Sequence, residues 1–180
     1  MKPSTAVTLV AALLWGAGCA PYPAADVPFL VTPPEIVEQM LRLAKVGPAD
    51  IVYDLGSGDG RLVIAAVRDF RARAAIGIEI DPALVARSRE YARRAGVENR
   101  VTFLEQDFFR ADVGPASVVT LYLTREVNLR LRPKLLAELR PGTRVVSFDF
   151  DMGDWEPQAM VRVDVNGRAA PVYLWVVPER

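Results

Sequence analysis

Three acidic residues stand where apolar runs stop: Asp54 near the end of Ile51 to Leu55, Glu79 after Ala74 to Ile78, and Asp107 just past Val101 to Glu105. Asp54 opens the string Asp54-Leu55-Gly56-Ser57-Gly58-Asp59-Gly60, preceded by Val52-Tyr53. Glycine at every second position lets a chain turn sharply and approach a ligand closely, and a helix starting after the turn offers free N–H groups to the same place. Glu79 lies about 20 residues beyond the glycine turn, from where a carboxylate accepts hydrogen bonds from ribose hydroxyls. Taken singly, each acid reads as a helix cap or a solvent-facing turn residue. In register with the glycines, the three read as a nucleoside site. Asp54 and Asp59 stand where a pyrophosphate would have to sit, and carboxylates repel phosphate. The pattern therefore suits a cationic nucleoside without phosphate better than a dinucleotide.

Composition narrows the chemistry further. The chain has no histidine, which removes the commonest general base and metal ligand, so no metal site is expected. Its single cysteine, Cys19, excludes intrachain disulfides and thiolate zinc clusters. Lysine plus arginine and aspartate plus glutamate balance at 22 each, so overall charge does not argue for nucleic acid. The arginines between Arg61 and Arg110 recur at helical spacing and read as a solvated face. At 180 residues, 51% hydrophobic, the chain suits one globular domain.

The elements that must position the acids alternate. Strands are expected at Ile51 to Leu55, Ala74 to Glu79, Val101 to Glu105, Ser117 to Leu123 and Arg144 to Phe150, and helices at Arg61 to Phe70, Pro82 to Ala95 and Val127 to Leu139. An earlier helix begins near Thr32-Pro33-Pro34-Glu35, with Thr32 as its cap, and ends before Gly47-Pro48. Ala159 to Val165 and Val172 to Val177 flank Asn166-Gly167 as an antiparallel hairpin. Together these predict an α/β fold: a Rossmann-like, mainly parallel seven-stranded sheet, helices between its first five strands and on both faces, and a C-terminal hairpin. The ligand then belongs at the carboxyl ends of the strands, beside the first.

Residues 1–19 stand apart. Lys2, the apolar run from Ala6 to Trp15 and the small residues before Cys19 follow the plan of a bacterial signal peptide. The run is short for a span, which needs about 20 apolar residues. Cys19 marks either a lipoprotein site, against which Gly16 replaces the usual leucine, or a cleaved signal or simple anchor. Residues 20–31 read as a Pro-rich linker and 32–180 as the domain. A membrane tether through Cys19 is expected, the domain's side of the membrane being open.

The strings Asp54 to Gly60, Ile76-Gly77-Ile78-Glu79-Ile80-Asp81 and Glu105-Gln106-Asp107-Phe108 resemble successive motifs of class I methyltransferases that use S-adenosylmethionine. The resemblance implies that Asp54 and the glycines Gly56, Gly58 and Gly60 hold the methionine end, Glu79 the ribose, and Asp107 with Phe108 the adenine. Tyr53, Ser57 and Ile80 complete the implied cofactor site. A narrower resemblance covers nearly everything from Pro28 to Pro157. It rests on Thr32-Pro33-Pro34, the turn ending at Arg61, Val118 to Leu123, Asn128, Leu131 to Leu135, Pro141 to Ser147, and Asp149-Phe150-Asp151-Met152-Gly153-Asp154-Trp155. These strings are similar to the small protein-lysine N-methyltransferases acting on the ATP synthase c subunit and the adenine nucleotide translocator, and to their bacterial relatives.

That likeness implies direct methyl transfer from sulfur to a lysine amine of a protein substrate, and the enzyme is expected to be a monomer. Leu121-Tyr122-Leu123-Thr124 follows the fourth strand, where amine methyltransferases acting on adenine or glutamine often carry Asn/Asp-Pro-Pro-Tyr, so a nucleic-acid base is disfavoured. A lysine must lose its proton before attack, and aromatic walls disfavour its ammonium form. Tyr122, Asp149, Asp151 and Trp155 are the candidate acceptor residues, although Trp155 could serve packing alone and the two acids could cap turns. A small-molecule methyltransferase and a non-catalytic, membrane-tethered S-adenosylmethionine-binding domain are the alternatives.

Overall fold

A computed structural model describes residues 30–179. The signal segment, Cys19 and the linker up to residue 29 lie outside the described residues. The order is α1 (Pro34–Leu43), β1 (Ile51–Leu55), α2 (Arg61–Arg68), β2 (Ala74–Glu79), α3 (Pro82–Arg94), β3 (Val101–Glu105), β4 (Val118–Leu121), α4 (Arg125–Glu138), β5 (Arg144–Phe148), β6 (Ala159–Val165) and β7 (Arg168–Val176). Seven strands form one sheet in the order β3-β2-β1-β4-β5-β7-β6. The first five are parallel, and β7 runs antiparallel to both β5 and β6.

Strand alternation divides the interior into two apolar cores. Val52, Val118, Val146 and Phe148 pack with α1, α2 and Val85 and Ala92 of α3. Tyr53, Leu55, Val119, Leu121 and Val145 pack with Val127, Leu131 and Leu135 of α4 on the other face. Each strand residue thus joins the core its parity assigns.

Two expectations need correction. No helix joins β3 to β4. Residues 106–117 turn repeatedly instead, because Asp107 Oδ1 accepts the Phe109 N–H at 2.8 Å and Asp112 Oδ1 accepts the Gly114 N–H at 2.9 Å, local bonds that compete with a helical ladder. Thr32 does not cap α1: Pro33 occupies the cap position and no side chain bonds there. The Thr32 carbonyl instead accepts a hydrogen bond from Arg61 Nη1 at 2.9 Å, which ties the entry to α1 to the glycine turn.

The hairpin extends the ligand end of the sheet. Asn166 and Gly167 have φ of 53° and 83°, the left-handed pair a two-residue turn requires. The last residue of β5, Phe148, pairs with Val172, whereas β7 begins at Arg168 opposite Val165. Residues 168–171 and their β6 partners therefore run past the end of β5. Among the described residues no helix is long and apolar enough to cross a membrane.

Candidate active site

The glycine turn is clamped between β2 and its own helix. Gly56 and Ser57 donate their N–H groups to the Ile78 carbonyl at 2.8 and 3.0 Å, which carries the chain across the end of β2. Gly56, Gly58 and Gly60 have φ of 77°, 54° and 77°, a region side chains disfavour. Space is equally restrictive at Gly60, where a Cβ would lie 2.6 Å from the Phe103 ring and 2.9 Å from Ser88. The Ser57 hydroxyl is buried without a hydrogen-bond partner among the described residues and lies over β2, 2.6 Å from where a Cβ on Gly77 would be.

Glu79 locks onto this turn. Its Oε2 accepts the Gly58 N–H at 2.9 Å, and Oε1 accepts those of Ile80 and Asp81 at 2.8 and 3.0 Å. Oε1 thus has both lone pairs engaged, and Oε2 keeps one for a ligand hydroxyl. Ile80 beside it is 42% exposed, an apolar platform at a strand end. The Gln106 N–H donates to the Glu79 carbonyl at 2.9 Å and so brings the β3 exit alongside. There Asp107 is half-buried, and Phe108 tilts against Phe109 with centroids 4.9 Å apart.

Asp54 is buried on the α1–α2 face, and Thr120 Oγ1 donates to its Oδ1 at 2.7 Å. Burial pushes its carboxyl up to about 7 against the opposing Thr120 bond, and the neighbouring carboxylates of Glu79 and Asp59 push the same way. Among the described residues no cation is paired with Asp54. Asp59, by contrast, is neutralised: Arg61 Nη2 and Nε grip its carboxylate at 2.6 and 2.9 Å and, against the opposing effect of burial, hold its carboxyl below the usual range. The expectation that Asp59 confronts a ligand is therefore corrected to a structural ion pair. Tyr53 alternates away from Asp54 into the α4-side core.

The acceptor candidates do not form a single pocket wall. Tyr122 packs on Phe148 with centroids 4.6 Å apart, on the α1–α2 side. Trp155 lies on the α4 side, 6.0 Å between centroids from Trp175, whose Nε1 donates to the Trp155 carbonyl at 2.6 Å. Asp151 accepts from the Gly153 N–H at 2.8 Å and from Arg125 Nε at 3.1 Å. Asp149 adopts φ of 70° and pairs with Arg168, while its N–H donates to the Pro171 carbonyl at 2.9 Å. Burial, then the Asp149 carboxylate, raises the Tyr122 phenol above its ordinary value, with Arg168 opposing, so the phenol stays protonated at neutral pH.

Four residues that carry weight here had no assigned role in the sequence: Thr120, Arg61, Asn128 and Arg168. Asn128 is fully buried, and its Nδ2 donates to Ser147 Oγ at 3.1 Å and the Phe150 carbonyl at 3.2 Å, which fixes the exit from β5. A buried asparagine facing a strand end was the available signal.

A glycine turn after β1, an acid ending β2 and a 3-2-1-4-5-7-6 sheet define a class I methyltransferase. Residues 54–159 match the model of the ANTKMT methyltransferase domain, and the chain belongs to that family. A protein-lysine N-methyltransferase from Saccharolobus islandicus is 42% identical over 85% of this chain and 95% of its own length. The mouse adenine nucleotide translocase lysine N-methyltransferase is 38% identical over 85% of this chain and 69% of its own. Among solved structures, an RNA methyltransferase from Salinibacter ruber in complex with S-adenosyl-L-homocysteine is 51% identical, with a TM-score of 0.79, covering 84% of this chain and 95% of that one.

Proposed function

We propose that the protein is an S-adenosylmethionine-dependent methyltransferase that N-methylates lysine side chains of a protein. The observation that carries the donor assignment is a pair of acids at one turn: Asp54 is buried, and among the described residues the charges acting on it are the carboxylates of Glu79 and Asp59, while Glu79 is fixed at the rim of the same turn. A ligand that is cationic, bears ribose hydroxyls and lacks phosphate satisfies both. The residues present fit S-adenosylmethionine, which when bound supplies an electrophilic methyl group on a sulfonium.

Asp54 and the turn Gly56 to Gly60 would hold its methionine end, Glu79 its ribose, and Ile80, Asp107 and Phe108 its base. Tyr122 and Asp149 would receive the acceptor amine. The ammonium of a lysine has no lone pair, so a proton must leave before the nitrogen can bond to carbon. A half-buried carboxylate beside an aromatic ring can orient the ammonium and take that proton. Holding donor and acceptor aligned supplies much of the remaining acceleration, about 7–11 kcal/mol in well-oriented cases. No covalent enzyme intermediate is required.

The lysine assignment is supported by the likeness to two lysine N-methyltransferases, one covered over nearly its whole length. The likeness to the Salinibacter RNA methyltransferase makes RNA the second reading. Incubating the purified protein with radiolabelled donor and separate protein and RNA fractions of a bacterial extract decides between them. Label on protein, placed on lysine by mass spectrometry, is the expected result; label on RNA alone, or only in small metabolites, refutes it. Cys19 with the preceding apolar run supports a further reading, a membrane tether of a bacterial enzyme, and C19A should then move the protein from the membrane to the soluble fraction.

A further inference from the structure

Arg168 reaches back from the overhanging hairpin to the end of β5. Its Nη1 donates to Asp149 Oδ1 at 2.8 Å and its Nη2 to Oδ2 at 2.9 Å, a two-pronged pair. The two partners are held very differently. The Asp149 side chain is only 20% exposed, its backbone is set in the left-handed region, and its N–H is bound to the Pro171 carbonyl. The Arg168 side chain is 56% exposed and sits at the start of β7, beyond the last residue pair of β5. The acid is thus the fixed half, and the arginine a long, solvated arm laid across it. Tyr122 adjoins both charges, so the pair lies at the carboxyl ends of β4 and β5, on the rim that carries the donor turn.

A held carboxylate with an exposed cation over it is what a cationic acceptor would have to compete for. We propose that Asp149 is the seat of the acceptor ammonium and that Arg168 is an internal stand-in that fills this seat until an acceptor displaces it. This rests on reading Asp149 as an acceptor residue of the methyltransferase. The consequence is selectivity by competition. A guanidinium holds the carboxylate through two parallel bonds, whereas an ammonium is a single compact charge, so a free amine gains too little to displace it. An amine carried on a polypeptide brings further contacts along the hairpin and succeeds. Arg168 thereby biases the site toward macromolecular acceptors by opposing small ones, an element of negative selection.

The test uses n-butylammonium chloride as a minimal ammonium probe, titrated calorimetrically into protein saturated with S-adenosylhomocysteine. The R168A and R168Q variants should bind the probe at least fivefold more tightly than wild type, R168K should fall between, and D149N should lose binding in either background. Uncharged n-butanol should not distinguish the variants. Two arginine replacements are used so that loss of folding in one leaves the other to decide. Unchanged or weaker binding of n-butylammonium by the folded arginine variants overturns the proposal, as does wild-type binding by D149N. The titration transfers no methyl group, so its outcome is separate from that of the labelled-donor assay.

Discussion

Replacing Asp54 by asparagine should make the ligand-free protein more stable and the donor site weaker. The Thr120 hydroxyl donates to Asp54 Oδ1, and the asparagine oxygen can accept the same bond, so packing is preserved while the charge is removed. In the folded chain the Asp54 carboxyl is raised from 3.8 to about 7 by burial and by the acids Glu79 and Asp59. A raised carboxyl means that the folded state holds its proton more tightly than the unfolded chain. Its favourable contribution is complete below about pH 4 and is lost as pH climbs through about 7. A shift of about 3 units corresponds to about 4 kcal/mol at pH 8, the most that D54N can recover. At about 3 °C per kcal/mol for a domain of this size, the ligand-free melting temperature should rise by up to about 10 °C at pH 8 and hardly at all at pH 4. Binding should move oppositely. Wild-type affinity for S-adenosylhomocysteine, whose α-ammonium would meet the ionised acid in the proposed reading, should increase with pH up to about 7, with proton release seen by calorimetry in buffers of different ionisation enthalpy. D54N should bind at least tenfold more weakly at pH 8 and release no proton. A variant that melts below wild type at pH 8, or binds as tightly, refutes the reasoning.

Three other substitutions probe the remaining parts. G60A places a methyl group 2.6 Å from the Phe103 ring at a φ of 77°, so it should cost about 1–3 kcal/mol, read as a lower denaturation midpoint; an unchanged midpoint would show that the turn can relax. E79Q keeps the side-chain length but removes the charge that binds three N–H groups and leaves one acceptor oxygen where there were two. Donor affinity should fall about tenfold, since hydrogen bonds to charged groups contribute about 1.5–3 kcal/mol, and unchanged calorimetric affinity would remove Glu79 from the site. N128A frees the Phe150 carbonyl and Ser147 hydroxyl at the exit of β5. Acceptor KM should rise while donor affinity holds, and an equal loss of both would assign Asn128 to the core alone.

The donor half was legible because it is local. β1, β2, β3 and β6 begin and end where apolar runs meet turn formers, and parallel strands bring Asp54, Glu79 and Asp107 to one edge whatever lies between. Spacing could not show that Arg61 folds back over Asp59, two positions earlier, and thereby removes one acid from the ligand's surroundings. Nor could it show which way side chains point once a strand has ended. Tyr122 and Trp155 both follow strands on the ligand side, yet they pack against opposite faces of the sheet, since irregular segments carry no alternation to read. Arg168 had no motif at all. Its role comes from an antiparallel return that sets it beside a residue 19 positions earlier.

That asymmetry bears on how relatives named for such different acceptors can be so alike. A lysine methyltransferase at 42% and an RNA methyltransferase at 51% identity are both similar to this chain over most of its length, the latter with a TM-score of 0.79. The donor cleft makes the same demand in either case, a cationic nucleoside without phosphate, so likeness there says little about the acceptor. In the proposed reading the acceptor would meet residues 149–155 and the hairpin beyond β5, and the family match ends at residue 159, where β6 begins. Arg168 and the overhang lie past that limit. An RNA brings phosphates, which Asp149 repels and Arg168 attracts, while a lysine brings an ammonium, which Asp149 attracts and Arg168 repels. The same ion pair must therefore open in opposite senses for the two acceptors. Both backbones are held, but the Asp149 side chain is short and 20% exposed whereas that of Arg168 is long and 56% exposed, and a half-buried acid beneath a movable base favours the cation.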